Sequence, residues 1–258
     1  GNASADAYQE LIGDLGKVYT YYGIDYPDLI TLEPREVSYY KLAESYTEEI
    51  IRSSGVEEEY NLLGWCIGGV IAFEVALQLE NKYGKKVNVI MLDSQEPGNG
   101  QKNNFTPEME EKYLKNSWSV EVHDDEVKDS REFWKAVIQK ADNKEAVKSR
   151  IQEYLKNSSV DEIVDVSSMD LEELIMLNNL FRSFSYATGN YVPSGILEKG
   201  KVTYIEAGEG SAALNPQNWE KWCAGKIEYH QINSNHFEIL NKEPAKICSE
   251  IIKSFVDK

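Results

Sequence analysis

The chain is short of basic residues. It has 27 lysines and arginines against 44 aspartates and glutamates, which gives a formal net charge of −17 at pH 7. A protein that binds nucleic acid needs a basic surplus to neutralise phosphates, and docking on an anionic membrane needs the same surplus. We therefore expect neither a nucleic acid nor a membrane among its partners.

Long apolar runs and paired cysteines are missing as well. No run approaches the ~20 residues of a membrane-spanning helix, and the first residues contain no apolar segment typical of a secretory signal peptide. We therefore expect a cytoplasmic protein. Cys66, Cys223 and Cys248 are far apart and include no C-x-x-C pair, which argues against a disulfide framework and a zinc site. No bound cofactor or metal is expected.

The remaining composition is that of an ordinary globular protein, with 41% hydrophobic and 28% charged residues. A length of 258 residues is enough for one α/β domain with a large insertion. We therefore predict a single domain over residues 1–258.

Strand and helix patterns alternate near the middle of the chain. Asn61–Trp65 has a strand pattern, Ile67–Asn81 a helical one, and Val87–Leu92 is a continuous apolar run of strand length. Strand, helix and strand in this order predict a parallel sheet. Two later strands are predicted at Lys201–Glu206 and Lys226–Ile232, so the fold class is α/β, with a mostly parallel central sheet flanked by helices.

The rest of the chain is mainly helical in pattern, and Lys17–Tyr22 is a further strand candidate because it is rich in aromatic and β-branched residues. Helices are predicted at residues 5–14, 33–53, 107–116, 131–140, 144–156, 171–186, 215–222 and 244–256. Four of them form a block that interrupts the α/β pattern after Asp93.

The turn Gly64-Trp65-Cys66-Ile67-Gly68-Gly69 carries the chemistry. It is the G-x-S-x-G pattern of serine hydrolases with cysteine in the serine position, and it lies between a predicted strand and a predicted helix, as that pattern requires. Gly64 and Gly68 allow the sharp turn. The helix N-terminus favours a thiolate at Cys66, and the Ile67 N–H is one expected oxyanion donor. The alternative is an ordinary buried cysteine in a tight packing turn.

A cysteine nucleophile needs a base, and three histidines are candidates. His236 follows the last predicted strand on a loop at the carboxyl end of the sheet, which favours it as the base. His123 lies in an acidic, exposed-looking stretch, and His230 lies inside a strand pattern.

The base in turn needs an orienting acid. Asp93 directly follows an apolar strand and therefore emerges at the same sheet edge as Cys66. Glu206 and Glu209, after a later strand, are the alternatives. The order Cys66, Asp93, His236 matches the nucleophile, acid and base order of α/β-hydrolases.

Three segments, YNLLGWCIGGVIAFEVALQLE, VIMLDSQEP and HQINSNHFEIL, resemble the type I thioesterase domains of nonribosomal peptide synthetases and polyketide synthases. The resemblance covers nearly the whole chain. It implies an α/β-hydrolase fold with an inserted helical lid, here residues 98–195, and a triad of Cys66, Asp93 and His236.

Two features depart from that family. Its members begin with an apolar strand and a glycine-rich loop that supplies the second oxyanion donor, whereas this chain starts at GNASADAYQEL. We therefore expect the first strand to be missing, with the second donor at Asn2, at Ala3 or upstream. The other departure is Cys66. It is interpreted as native and catalytic, against an engineered replacement of serine or the mark of an inactive domain.

The resemblance implies a chain-terminating thioesterase. Such an enzyme accepts a peptidyl or acyl group from the phosphopantetheine of an upstream carrier domain and releases it by hydrolysis or cyclisation. It binds no cofactor of its own and is a monomer as an excised domain. The alternatives are a standalone proofreading thioesterase, a dienelactone-hydrolase-like enzyme and a binding module of the same fold in which Cys66 is structural.

Overall fold

Four parallel strands form the centre of the structure, which is a computed structural model. It describes residues 5–24, 30–54, 57–97, 106–121, 129–158, 160, 164–209 and 215–257. The chain divides into two compact units: Gly1–Tyr26, Ser38–Gln101 and Asn190–Lys258 form the first, and Pro27–Val37 with Lys102–Gly189 form the second. The sheet lies in the first unit.

The strands are β1 (Glu59–Trp65), β2 (Lys86–Leu92), β3 (Val202–Glu209) and β4 (Ile227–Asn235). They pair in the order β1-β2-β3-β4, and each neighbouring pair is parallel. The predicted parallel sheet is thus confirmed. The carboxyl ends of all four strands meet at one edge, where side chains from different strands can converge.

The described helices are α1 (Gln9–Leu15), α2 (Tyr39–Ser54), α3 (Ile67–Tyr83), α4 (Pro107–Trp118), α5 (Ser130–Lys140), α6 (Lys144–Asn157), α7 (Leu171–Asn190) and α8 (Lys242–Val256), with 3₁₀ helices at Ala5–Tyr8 and Pro216–Trp222. Among the described residues, no helix is long and apolar enough to cross a membrane.

Both faces of the sheet are covered. Every β2 residue after Lys86 is buried, as expected of a central parallel strand. Helix α3 packs on the sheet and against α2, and α8 packs against α1 and β4. One apolar cluster joins the sheet to α1 and α8, and its larger members are Leu11, Leu15, Trp65, Ile90, Leu92, Ile205, Ile232, Ile239, Leu240, Ile252 and Phe255.

The sequence misplaces two elements. Lys17–Tyr22 is not a strand. Its aromatic residues make tertiary contacts instead, since the Tyr19 hydroxyl donates to Asp257 (2.6 Å) and its ring packs edge-on against Tyr21. The helix predicted over 33–53 begins only at Tyr39, because Pro34 disfavours helical backbone before it and Ser38 caps the helix start.

The second unit is helical, and each of its four predicted helices is present as α4 to α7. Its core includes the aromatic residues Trp118, Phe133 and Trp134 and the aliphatic residues Val147, Ile151 and Leu174. Trp118 and Trp134 therefore serve core packing within this unit. The lid predicted at residues 98–195 stays a prediction.

A buried carboxylate fixes the segment that leads into β3. Glu80, on α3, is 7% exposed. Its two oxygens accept hydrogen bonds from the backbone N–H groups of Glu198 (2.9 Å), Lys199 (2.9 Å) and Gly200 (2.8 Å). Gly200 must remain glycine, because a Cβ there would lie 1.7 Å from the Val87 carbonyl oxygen.

We expect Glu80→Ala to lower the free energy of unfolding by about 2–4 kcal/mol, because it leaves three inward-facing N–H groups without their charged acceptor. Chemical denaturation of the full chain measures this loss. Glu44→Ala is the matched control, since it removes an exposed carboxylate that also contacts α3, through Lys82. Equal losses in both variants would contradict the role given to Glu80.

Candidate active site

Cys66 occupies the turn between β1 and α3. Its backbone has φ 55° and ψ −125°, a conformation that costs a non-glycine residue about 1–3 kcal/mol. The Cys66 N–H donates to the Leu92 carbonyl (2.9 Å), and its carbonyl accepts from the Gly69 N–H (3.2 Å). The turn is thus tied to β2 and to the first turn of α3.

Two glycines make this turn possible. A Cβ on Gly64 would lie 2.1 Å from the Gly68 carbonyl carbon, and a Cβ on Gly69 would lie 1.9 Å from the Ser94 Oγ. The contact at Gly64 is with backbone atoms and could be relieved only by moving the turn, whereas the contact at Gly69 would require the Ser94 side chain to shift. The sequence analysis correctly selected Gly64. It selected Gly68 as the second glycine, whereas the shorter Cβ contact is at Gly69.

Asp93 follows β2 at the same edge of the sheet. Its side chain is fully buried, and its backbone also has a positive φ, 42°. Its N–H donates to the Ile205 carbonyl (2.8 Å), while its Oδ1 accepts from the Ala207 N–H (2.9 Å). Both contacts come from β3, so this strand fixes the carboxylate in position.

His236 follows β4 and faces Asp93. Its Nδ1 lies 2.6 Å from Asp93 Oδ2, and a buried carboxylate at that distance requires the proton on Nδ1. The Cys66 thiol is close enough to the ring for the two groups to shift each other's pKa. Since Asp93 engages Nδ1, we infer that Nε2 is the nitrogen that faces the sulfur. The structure thus brings Cys66, His236 and Asp93 together in that order.

The residues around His236 hold its loop. Asn235 Oδ1 accepts from the N–H groups of Phe237 (3.0 Å) and Glu238 (2.9 Å). The Trp65 indole N–H donates to the His236 carbonyl (3.0 Å), and the two rings lie 5.1 Å apart. Trp65, directly before the cysteine, therefore connects the turn to the histidine loop.

The pair formed by Cys66 and His236 favours charge separation. Burial raises the pKa of Cys66, but the hydrogen bond and charge of His236, with the Ile67 N–H, lower it below the ordinary value of 9.0. Burial lowers the pKa of His236, but its hydrogen bonds to Asp93 and Cys66 raise it to about 9. A thiolate facing an imidazolium is the state that these contacts stabilise.

The other two cysteines lie in different surroundings. Burial, with the charges of Glu220 and Glu80, raises the pKa of Cys223 to about 12. Burial likewise raises the pKa of Cys248 to about 12. These shifts disfavour a thiolate at Cys223 and Cys248, whereas the contacts of Cys66 favour one.

The competing candidates that the structure describes make other contacts or are exposed. His230 Nε2 lies 3.0 Å from Glu228, on its own strand. Glu206 accepts from Gln231 (3.3 Å), and Glu209 is an exposed residue at the end of β3. His123 lies outside the described residues, as do the proposed oxyanion donors Asn2 and Ala3. Among the residues that are described, no group of three or more histidine, cysteine, aspartate or glutamate side chains is arranged to hold a metal ion.

Sequence reasoning missed three contributors. Tyr8 lies beneath the turn, where its hydroxyl accepts from the Trp65 N–H (2.9 Å), and burial raises its pKa, so it stays neutral. Trp65 and the Ala207 N–H support His236 and Asp93 as described above. The only local signal was the tryptophan inside the motif, since the contacts of Tyr8 and Ala207 link distant segments.

Sequence comparison relates this chain to thioesterases and to peptide synthases. Residues 1–255 match the sequence model of the thioesterase domain. "Probable thioesterase gloN" of Glarea lozoyensis is 27% identical over 271 residues, which cover 96% of this chain and 84% of that protein. Bacitracin synthase 3 of Bacillus licheniformis is 23% identical over 214 residues, which cover 81% of this chain.

Several relatives are far longer than this chain. It spans 3% of bacitracin synthase 3, 4% of the conidial pigment polyketide synthase PfmaE of Pestalotiopsis fici and 10% of the dimodular nonribosomal peptide synthase of Bacillus subtilis. The similarity is thus to one domain of each.

Solved structures show the same fold. The four-domain nonribosomal peptide synthetase holo-AB3403 superposes with a TM-score of 0.64 at 17% identity, covering 98% of this chain and 18% of that one. The NocB thioesterase domain, in covalent complex with a fluorophosphonate nocardicin G analog, has a TM-score of 0.58 at 16% identity and covers 98% and 90%. The fold is therefore that of the α/β-hydrolase thioesterases, and the family match over residues 1–255 establishes that this chain belongs to the thioesterase-domain family.

Proposed function

We propose that this chain is a thioesterase that takes an acyl or peptidyl group from a carrier-bound phosphopantetheine thioester onto Cys66 and releases it by hydrolysis or cyclisation. The observation that carries the proposal is the contact of the Cys66 thiol, on its strained turn, with a histidine that Asp93 orients. Family membership supplies the reaction class.

The first half of the reaction, acylation, uses the Cys66 thiolate and the protonated His236. The Cys66 thiolate attacks the carrier thioester, and the negative oxygen of the tetrahedral intermediate receives a hydrogen bond from the Ile67 N–H at the start of α3. Collapse of the intermediate breaks the bond to the phosphopantetheine sulfur. The protonated His236 gives its Nε2 proton to that departing thiolate and becomes neutral.

The second half releases the acyl group. Neutral His236 takes a proton from water, or from a hydroxyl or amine of the substrate itself, and that group attacks the acyl-Cys66 thioester. Asp93 stabilises the imidazolium that forms. The departing group is the Cys66 thiolate, so the ion pair is restored.

Cysteine in the nucleophile position has a chemical consequence. Transfer of the acyl group from one thioester to another is close to thermoneutral, whereas transfer to serine forms a less activated oxygen ester. The group on Cys66 therefore stays activated toward an amine or toward closure of a strained ring.

A second candidate is a standalone thioesterase that removes stalled acyl groups from carrier domains. It is favoured by the match to "Probable thioesterase gloN", of which this chain covers 84%, a protein of similar length rather than a multidomain synthase. The chemistry at Cys66 is the same in both cases. A panel of short acyl thioesters and long peptidyl thioesters separates the two by which class is released faster.

The acyl-enzyme is the direct test of the proposal. We expect a panel of acyl N-acetylcysteamine thioesters to give a mass adduct on the intact protein, and we expect Cys66→Ala to form none. Cys223→Ala is the matched control and should keep the adduct, because Cys223 has a raised pKa. If Cys66→Ala is acylated as well, or if the parent protein never is, the nucleophile assignment is wrong and the binding module is the better interpretation.

The ion pair predicts a pH dependence. Cys66 should react with iodoacetamide at a lower pH than an ordinary thiol does, and its rate of alkylation should fall as the pH falls through the lowered thiol pKa. The turnover rate should also fall as the pH rises past about 9, where His236 loses its proton. In His236→Ala the pH at which alkylation of Cys66 is half-maximal should rise, while in His230→Ala it should not change. Site-resolved mass spectrometry follows the alkylation of each cysteine. An unchanged pH dependence of Cys66 alkylation in His236→Ala would contradict the interaction between Cys66 and His236.

Replacing Asp93 tests the orienting acid. Asp93→Asn keeps the shape of the side chain but no longer holds the proton on Nδ1, so we expect kcat/KM to fall by about 10²–10⁴-fold. Glu206→Gln on the neighbouring strand makes the same chemical change at a carboxylate that does not contact His236 and should stay near the parent rate. A comparable loss in both variants would show a general effect of charge rather than the contact to His236.

A further inference from the structure

Trp65, the residue before Cys66, lies against the ring of His236. The centroids of the indole and the imidazole are 5.1 Å apart, and the two planes are tilted by 33°. At this distance and tilt the rings are stacked with an offset rather than edge-on. His236 therefore faces an aromatic surface as well as the carboxylate of Asp93.

The surroundings of Trp65 hold its indole in this orientation. The side chain is 4% exposed and belongs to the apolar cluster that joins the sheet to α1 and α8. Its backbone N–H donates to the Tyr8 hydroxyl (2.9 Å), and its indole N–H donates to the His236 carbonyl (3.0 Å). The indole cannot turn away from His236 without leaving that buried N–H unsatisfied, which is unfavourable.

Phe237 packs against the same two rings. It lies edge-on to His236, with centroids 5.0 Å apart at 89°, and edge-on to Trp65, at 6.5 Å and 80°. Its backbone N–H donates to Asn235 Oδ1 (3.0 Å). The imidazole of His236 is thus held by Asp93 at Nδ1 and by two aromatic rings, while Trp65 also holds its backbone carbonyl.

The face of an indole ring attracts positive charge. A cation within about 6 Å of the ring centroid is stabilised by the π electrons, and more strongly where water is excluded. The His236 side chain is only 23% exposed, so its contact with Trp65 favours the protonated ring over the neutral one. Among the described residues, Asp93 and Cys66 are the titratable groups that act on His236, and Trp65 and Phe237 carry no charge.

We propose that Trp65 is a positioning residue for the reaction at Cys66. Its indole face stabilises the imidazolium of His236, and its indole N–H holds the histidine backbone while the proton is transferred. The effect on turnover rests on the proposed function, but the effect on His236 can be measured without a substrate. A tryptophan that only filled the core would change stability and leave the proton affinity of His236 as it is.

The indole face is tested by site-specific incorporation of tetrafluorotryptophan at position 65. Fluorine withdraws electrons from the ring and removes its attraction for a cation, while the N–H is kept. The protein is the full chain with Cys66→Ala, so that no thiol titrates together with the histidine. The magnetic resonance signal of the His236 ring, assigned with His123→Gln and His230→Gln, follows the titration. We expect its midpoint to fall by about one pH unit, because the protonated ring loses stabilisation.

The indole N–H is tested by benzothienylalanine at position 65, which keeps the fused ring and replaces the N–H with sulfur. With Cys66 present, we expect kcat for an acyl N-acetylcysteamine thioester to fall by about tenfold at every pH, because the His236 carbonyl loses its donor. KM should stay near the parent value, since Trp65 is buried. With tetrafluorotryptophan, the alkaline fall in turnover should instead move to lower pH by about one unit.

Trp222 is the matched control position. It is a tryptophan of the same unit, its ring centroid lies 5.6 Å from the Lys221 Nζ, and among the described residues no ring contact joins it to His236. Either analogue at position 222 should leave the His236 midpoint, kcat and KM at the parent values.

An unchanged His236 midpoint with tetrafluorotryptophan at position 65 would overturn the proposal, and so would an equal shift from the same analogue at position 222. A midpoint that moves while kcat and the pH profile stay at the parent values would show that Trp65 does not serve the reaction. If the parent protein releases no thioester at all, the proposed function is wrong, and the titration still decides whether Trp65 acts on His236.

Discussion

The close packing of the first turn of α3 against the end of β1 is the constraint on which the candidate site depends. A Cβ at Gly64 would overlap the Gly68 carbonyl, so the chain can turn this sharply only with glycine there. The same turn forces Cys66 to a positive φ. Its hydrogen bond to Leu92 on the central strand β2 anchors the strained residue, and the helix start brings the Ile67 N–H to the sulfur.

The order of the strands explains how the partners reach Cys66. The cysteine, the aspartate and the histidine follow β1, β2 and β4, whose carboxyl ends share one edge of the parallel sheet. Strand β3 lies between β2 and β4 and contributes no side chain to this group of three residues. Its Ala207 N–H instead holds Asp93 Oδ1 and leaves Oδ2 for His236. The Ala207 amide on β3 thus orients the Asp93 carboxylate toward a histidine that follows the strand on the other side of β3.

Sequence patterns predicted those parts of the site that depend on neighbouring residues in the chain. The β1–α3–β2 unit, Cys66 and the positions of Asp93 and His236 follow from strand and helix periodicity and from what comes directly after each strand. The strand predicted at Lys17–Tyr22 fails because tyrosines that serve tertiary packing carry the same signal as tyrosines in a strand. Tyr8 was missed because its contact with the turn joins segments that are far apart in the chain, and no short pattern encodes such a pair.

The charge state of the site separates this chain from a serine hydrolase of the same fold. A serine becomes an alkoxide only as it reacts, whereas the contacts of Cys66 stabilise its thiolate before any substrate arrives. The Cys66 sulfur and the Asp93 carboxylate lie on either side of one imidazole, and their contacts raise the pKa of His236 to about 9. In the proposed reaction, His236 carries the proton that the first leaving group needs, so acylation would require no further base. The choice between water and an internal nucleophile would then be made in the second step, when His236 is neutral and the acyl group is still a thioester.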